Sequence, residues 1–178
     1  MEPMKPRELL HTRTITLRGY RREDGLYEIE GHLCDTKTYD RTSNGIHRKA
    51  GDPIHEMTLR ITIGTDFVIR DVLAQSHVVP YPGHCDTIGP DYGKLIGMTI
   101  GVGFMRQMRD LLGGVNGCTH LTELIGGVAT AAFQTMCEEI NNSRSPTRPF
   151  QLDGCHALRT DGATVAEFYP QWVQGENG

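Results

Sequence analysis

Alternating apolar and polar residues predict four β-strands in the first half of the chain. The clearest is the segment 54–63, IHEMTLRITI, in which apolar residues take every second position from Met57 to Ile63. This period of two is typical of a strand with one buried face. Shorter versions of the pattern, or runs of β-branched residues, occupy 13–20, 26–34 and 67–75. Asp-Gly and Gly-Thr-Asp turns join the strands in pairs, so two β-hairpins are predicted.

Helical spacing replaces this alternation after residue 89. Apolar residues recur three and four positions apart in 104–112 and again over about 119–140. Strands followed by helices indicate an α+β fold, here a small antiparallel sheet built from two hairpins and packed by C-terminal helices. We predict one domain over 1–178. Strands dominate 11–77, helices dominate 89–141, and 142–178 supplies a linker and a docking tail.

The polar segment 35–53 interrupts the strands and contains Asn-Gly and Asp-Pro pairs. We interpret it as a long, mobile connection whose length suggests a functional loop. Glu30, His32 and Asp35, which lie on or near the polar face of the second strand, are further candidate residues of lower weight. The alternative is cross-strand ion pairing with Arg18, Arg21 and Arg22, which would explain several of these charges without catalysis.

Charge and hydropathy exclude several classes of protein. The chain has 18 Lys and Arg against 22 Asp and Glu, a net charge of -4, and no long basic run, so nucleic acid is not expected as a partner. No apolar stretch approaches the roughly 20 residues that cross a bilayer, and the N-terminus lacks the apolar segment of a secretory signal. We therefore expect no membrane association and a cytoplasmic protein. A homo-oligomer is left open.

The five cysteines are an odd number in a chain without an export signal, which argues against a disulfide framework. Cys118, in GGVNGCTHLTELIGG, is expected in the first turn of the last helix, where free N–H groups and the helix dipole favour a thiolate. His120 and Glu123 share a face of that helix. The alternative interpretation is a helix start with a buried cysteine and a surface histidine.

Two further positions join Cys118 and His120 as candidate metal ligands. His55 has the parity of the buried face of its strand, and Cys85 lies in the rigid loop PYPGHCD. A hydrogen-bonded core histidine and a simple turn are the alternatives. The strand start, this loop and the last helix can meet at one end of the sheet, where the metal ligands would be His55, Cys85, Cys118 and His120. Cys155 and His156, in the tail, either join the site or only pack.

The strings HTRTITLRGYRREDGLYEIEGHLCDTK, PIHEMTLRITI, CDTIGPDYGKLIGMTIGVGF, GCTHLTEL and LDGCHAL resemble the bacterial family called domain of unknown function 2889. More distantly, the order of the strand, CDTIG and CTHLTEL segments is similar to the U-type iron-sulfur scaffold family. That resemblance implies a small antiparallel sheet with packed helices. It also implies a zinc or cluster site, at positions matched here by His55, Cys85 and Cys118. The strand 54–63 offers His55 and Glu56 where that family has a cysteine.

A site of two thiolates and one or two imidazoles suits zinc. We predict a zinc-dependent hydrolase or lyase that acts on a small organic or acyl substrate. Glu123, His120 and Glu56 are the candidate catalytic residues. The alternative is a scaffold or carrier that holds iron, zinc, sulfur or an iron-sulfur cluster for a partner and has no turnover of its own; iron or an iron-sulfur cluster is the alternative to zinc. In a third interpretation, a closed zinc site with four protein ligands only supports the fold.

Overall fold

The computed structural model describes residues 5–142, 148–149 and 151–174, which fall into two compact units. The first unit is Met1–Met136 and the second is Cys137–Gly178. The prediction of a single domain stays a prediction. No described helix combines the length and apolar character needed to cross a membrane.

A four-stranded antiparallel sheet forms the centre of the first unit and confirms the two predicted hairpins. Its strands, in chain order, are β1 (His11–Arg21), β2 (Tyr27–Lys37), β5 (Pro53–Ile63) and β6 (Ile69–Val78). Their order across the sheet is β1-β2-β5-β6. The central strands β2 and β5 pair from Tyr27 opposite Ile63 to Asp35 opposite His55, so these two polar residues meet at one end of the sheet.

The segment interpreted as a long connection contains a second, two-stranded sheet. Strands β3 (Arg41–Ser43) and β4 (Ile46–Arg48) are joined by Asn44 and Gly45. Both turn residues have positive φ, 54° and 75°, as a two-residue turn that matches the strand twist requires. The Asn-Gly pair therefore forms a hairpin that the sequence interpretation missed, because three-residue strands carry almost no periodic pattern.

The helices confirm the predicted α+β class. After two 3₁₀ helices (Cys85–Thr87 and Gly89–Leu95), α1 spans Phe104–Leu112 and α2 spans Thr119–Thr135. The helix predicted over about 119–140 is thus divided, because α2 ends before Met136 and α3 (Cys137–Asn142) belongs to the second unit.

Helix α2 packs on one face of the sheet and forms the core with it. Leu121, Leu124 and Val128 are fully or almost fully buried on the helix, as are Ile29, Leu33 and Leu59 on the strands. Each such side chain contributes roughly 1.5–3 kcal/mol by its burial. At Gly31 a Cβ atom would lie 2.9 Å from Val128 Cγ2, so the absence of a side chain lets α2 approach β2 closely.

The second unit contains two short α-helices, α3 and α4 (Ala163–Phe168). Asp153 organises the segment between them, because its carboxylate accepts hydrogen bonds from the backbone N–H and the hydroxyl of buried Thr160. Cys155 and His156 lie in this segment. Residues 143–147 of the predicted linker lie outside the described part of the chain. The docking of the tail and any role of Cys155 and His156 stay predictions.

Candidate metal centre

Asp35 lies at the centre of the site, on the buried face of β2. Its side chain is only 1% exposed, and its parity is that of Ile29 and Leu33. The sequence prediction that Asp35 lies on or near the polar strand face is therefore corrected, since Asp35 lies on the buried face. A buried carboxylate has to be paired, and Arg13, opposite Asp35 in the β1–β2 register, forms two parallel hydrogen bonds to it. Nε donates to Oδ1 at 2.8 Å and Nη2 to Oδ2 at 2.7 Å.

His55 faces Asp35 from the other side, because the two residues are partners in the β2–β5 register. Its Nδ1 lies 3.0 Å from Asp35 Oδ2. An ionised carboxylate can only accept hydrogen bonds, so His55 donates from Nδ1–H and its Nε2 carries the lone pair. The imidazole is 20% exposed. The prediction that His55 belongs to the buried face is confirmed, since its partner Asp35 lies there.

His120 reaches the same carboxylate from the first turn of α2. Its Nε2 lies 3.6 Å from Asp35 Oδ2, and its ring centroid lies 3.9 Å from that of His55. On its other side, Nδ1 lies 3.8 Å from the sulfur of Cys118. A proton on Nδ1 that points to the sulfur would leave the Nε2 lone pair facing Asp35 and His55. The CTH spacing thus places one imidazole between a thiol and a carboxylate.

Tyr92 fixes the start of α2. Its side chain is fully buried, and its hydroxyl oxygen accepts the backbone N–H of Cys118 at 3.0 Å. The same hydroxyl lies 3.0 Å from both the Cys118 carbonyl and Thr122 Oγ1. Cys118 precedes the helix as its N-cap residue without a side-chain cap, so Tyr92 satisfies a backbone donor there. Burial raises the pKa of Tyr92, which keeps the phenol neutral and able to donate.

Burial and neighbouring charges shift the pKa values of Asp35, His55 and His120 toward the protonation states that bind a cation. Burial alone would raise the pKa of Asp35, but the hydrogen bond and charge of Arg13 outweigh it and the pKa is lowered. Burial also lowers the pKa of His55, against the opposing effect of Asp35. For His120, burial and the charges of His55 and Arg13 lower the pKa. At neutral pH the site therefore holds one carboxylate and two neutral imidazoles, the forms that bind metals.

Asp35, His55 and His120 together could hold a metal ion. One ligand atom of each lies within 4.8 Å of the other two. Among the described residues, no other set of three His, Cys, Asp or Glu side chains has ligand atoms this close together.

Three more polar residues, Arg13, Glu123 and His11, lie around this group. Arg13 extends its Nη1 to Glu123 Oε2 at 2.5 Å, and it thereby links the buried Asp35 to a carboxylate that is 44% exposed. His11 Nε2 lies 3.3 Å from Asp35 Oδ1 and is 37% exposed. Glu123 was among the predicted catalytic residues, whereas His11 and Arg13 were not. His11 and Arg13 have the same parity as Ile15 in β1. They therefore lie on the sheet face that carries Asp35, since Arg13 is opposite Asp35 in the register.

The remaining predicted residues lie in different surroundings. Cys118 is next to the group through its contact with His120. Cys85 begins the 3₁₀ helix Cys85–Thr87 and is not a member of the group. Glu56 alternates with His55 and contacts His32 at 3.1 Å, on the opposite face of the sheet. The structure thus brings His55 and His120 together with Asp35, and it does not bring Cys85 or Glu56 to them.

Comparison with known proteins gives a family without an assigned reaction. The model of the family described as protein of unknown function (DUF2889) matches residues 11–134, a range that contains Asp35, His55 and His120. No curated protein and no solved structure matches the chain, so the likeness to the U-type iron-sulfur scaffold stays a prediction. Because the match covers more than half of the sequence, the chain belongs to the DUF2889 family.

Proposed function

We propose that this protein is a metal-dependent enzyme, a hydrolase or lyase acting on a small organic or acyl substrate, with zinc as its metal. The observation that supports it is the convergence of Asp35, His55 and His120, whose ligand atoms lie within 4.8 Å of one another. These residues come from two strands and a helix.

The donor spacing fits a divalent cation. Zinc binds histidine nitrogen and carboxylate oxygen at roughly 2.0–2.2 Å, which places two ligands of a tetrahedral site about 3.3 Å apart. The distances from Asp35 Oδ2 to His55 Nδ1 and His120 Nε2, 3.0 and 3.6 Å, bracket that value. A cation at Nδ1 of His55 would replace the proton that this nitrogen now shares with Asp35.

The number of ligands supports an enzyme over a structural site. Catalytic zinc usually has three protein ligands, whereas structural zinc usually has four. A zinc ion in such a site supplies Lewis acidity and makes water a better nucleophile near neutral pH. His120 would then act as a ligand. Proton transfer at the solvent side falls to Glu123 and His11, which are partly exposed and next to the group.

Arg13 has a positioning role in this proposal. It is bound to Asp35 through two hydrogen bonds and to Glu123 through a third. The guanidinium holds both carboxylates, and Oδ2 of Asp35, which accepts a hydrogen bond from Nη2, also lies beside the two imidazoles. Its positive charge also compensates part of the negative charge of the site.

The alternative is a carrier of metal, sulfur or an iron-sulfur cluster without turnover. The observation that favours it is the thiol of Cys118 beside His120. Iron-sulfur clusters are usually held by four thiolates, whereas two imidazoles and one carboxylate are ligands typical of zinc and of non-haem iron. The donor set therefore supports a single ion more than a cluster.

Elemental analysis of the purified protein tests the proposal. We expect about one zinc per chain, and a large loss of zinc in His55→Ala and His120→Ala because each removes one of three ligands. His32→Ala is the matched control, since His32 contacts Glu56 on the opposite sheet face. Equal metal content in all four proteins would refute the assignment. Turnover of ester and amide substrates that depends on added zinc would separate an enzyme from a carrier.

A further inference from the structure

A small cavity lies beside His55, between the start of β5 and the β3–β4 hairpin. Its volume is about 30 Å³, and it opens to solvent. The cavity is lined by the following residues: Arg41, Ser43, Ile46, Arg48, Ile54, His55 and Pro80. It therefore brings together two arginines, three apolar residues and one histidine of the candidate metal centre.

Strand alternation places the two arginines on one side of the hairpin. Arg41 is directly opposite Arg48 in the register, and Ser43 is opposite Ile46. These four residues share one face, whereas Thr42 and His47 take the other and contact each other at 3.1 Å. Like charges directly opposite each other destabilise a strand pair. An anion between Arg41 and Arg48 would remove this repulsion.

The contacts of the two arginines leave their charges without a carboxylate partner among the described residues. Arg41 Nη2 donates to Ser43 Oγ at 3.3 Å, and Arg48 Nη2 donates to the carbonyl of Val79 at 3.0 Å. The two acids that flank the hairpin accept from the backbone: Asp40 accepts from Ala50 N–H, and Asp52 accepts from Lys49 N–H.

The hairpin is attached to the rest of the unit at this position. Asn44 Nδ2 donates to the carbonyl of Pro80 at 3.2 Å, next to the bond between Arg48 and Val79. Both acceptors follow β6 directly. The two arginines are thus presented beside His55 by a hairpin whose turn and second strand are both hydrogen-bonded to the segment after β6.

We infer that this cavity binds the carboxylate of an organic substrate and places the rest of that molecule at the Asp35, His55 and His120 site. Arginine matches the planar carboxylate with two parallel hydrogen bonds. Ile46, Ile54 and Pro80 offer apolar contact to carbon atoms next to it. This inference rests on the proposed function, since it names the substrate class of the same site.

Charge also favours an anionic substrate. Asp35 and Glu123 carry two negative charges against the one positive charge of Arg13. A divalent cation would change this balance to one positive charge, and Arg41 and Arg48 would add two more. A substrate carboxylate offsets part of this excess, whereas a neutral substrate leaves it uncompensated.

Isothermal titration calorimetry of the zinc-loaded protein with sodium benzoate tests the inference. Benzamide, of the same shape but neutral, is the matched ligand. We expect benzoate to bind more tightly than benzamide, and Arg41→Gln to weaken benzoate binding about tenfold while zinc content is unchanged. Arg41→Lys keeps the charge but loses the two parallel donors of the guanidinium. Its affinity for benzoate should lie between those of Arg41→Gln and the wild type. Arg106→Gln removes an exposed arginine of α1 and should behave as the wild type.

The outcomes separate the two proposals. Equal affinity for benzoate and benzamide, or equal benzoate affinity in Arg41→Gln and the wild type, overturns the carboxylate pocket even if zinc is bound. Absence of zinc from the wild type refutes the metal centre instead, and the same titrations on metal-free protein then decide the pocket. If Arg41→Gln does not fold, the comparison of Arg41→Lys with the wild type decides in its place.

Discussion

Asp35 and His55 face each other across neighbouring strands, with Oδ2 of the carboxylate 3.0 Å from Nδ1 of the imidazole. The register of β2 and β5 makes them partners, and both lie on the face that α2 covers. Such a pair within a core needs further partners, because a buried charge without compensation is unfavourable. Arg13 and His120 provide them, and the result is a polar site at one end of an otherwise apolar sheet face.

Replacement of Arg13 should destabilise the protein strongly. In Arg13→Gln the carboxylate of Asp35 would stay buried without its guanidinium partner, and breaking such a pair costs about 3 kcal/mol. Urea unfolding measures the change in the free energy of unfolding. Arg18→Gln is the control, because Arg18 lies on the same strand with the opposite parity. Similar losses in both variants would show that Asp35 does not depend on Arg13.

Removal of the Tyr92 hydroxyl should disturb both stability and metal binding. In Tyr92→Phe the partly buried N–H of Cys118 loses its acceptor, a loss of about 1 kcal/mol. The start of α2 would also be less well fixed, so the affinity of His120 for zinc should decrease. Tyr20→Phe, at a tyrosine that is 42% exposed, should change neither property. A free energy of unfolding equal to that of the wild type in Tyr92→Phe would show that the Tyr92 hydroxyl does not anchor the start of α2.

A side chain at Gly31 should push α2 away from β2. The Cβ atom of Gly31→Ala would lie 2.9 Å from Val128 and 3.2 Å from Leu124, and such overpacking costs about 1–3 kcal/mol. Gly93→Ala is a suitable control, because its Cβ would meet no atom within 4 Å. Thermal unfolding compares the two, and a Gly31→Ala protein as stable as Gly93→Ala would contradict the close approach.

The metal-free protein should lose stability as the pH falls below about 6.5. The pKa values of His55 and His120 are lowered from their ordinary 6.5 in the folded chain, so the unfolded chain binds more protons below that value. Their contribution is therefore complete above pH 6.5 and is lost as the pH falls through the folded pKa values. The pKa of Asp35 is lowered from 3.8, and its contribution is lost only at stronger acidity.

Urea unfolding of chelator-treated protein between pH 7.5 and 5 measures this dependence. The double variant His55→Gln, His120→Gln lacks both imidazoles and should show a flatter slope over the same range. A slope equal to that of the wild type would assign the pH dependence to other groups.

Cys118→Ala should distinguish a metal ligand from a neighbour of one. The sulfur contacts Nδ1 of His120, and Cys118 is not part of the three-residue group. We therefore expect the variant to keep its zinc while the affinity falls, since loss of such a neighbour costs 10–100-fold in metal affinity. Competition with a chelator measures the affinity. Complete loss of zinc would restore the thiolate as a ligand, as the sequence prediction has it.

Much of the site was accessible from the sequence, because strand and helix periods assign residues to faces. The alternation in 54–63 placed His55 on the buried side, and the glycine-rich start of α2 identified Cys118 and His120. Asp35 is not predicted as a metal ligand although its parity with Leu33 is visible, because an aspartate near arginines is more simply explained as an exposed ion pair. The β3–β4 hairpin was missed because its strands are too short for a pattern.

The sequence by itself determined the class of the fold, the two main hairpins, helix α2 up to about its last turn and two of the three proposed ligands. These features follow from local periodicity and turn chemistry, which act within about ten residues. Only the tertiary structure decided that Asp35 joins His55 and His120, that Cys85 and Glu56 do not, and that Arg41 and Arg48 lie beside the site. Such contacts depend on strand register and helix packing between distant segments, and no local pattern specifies them.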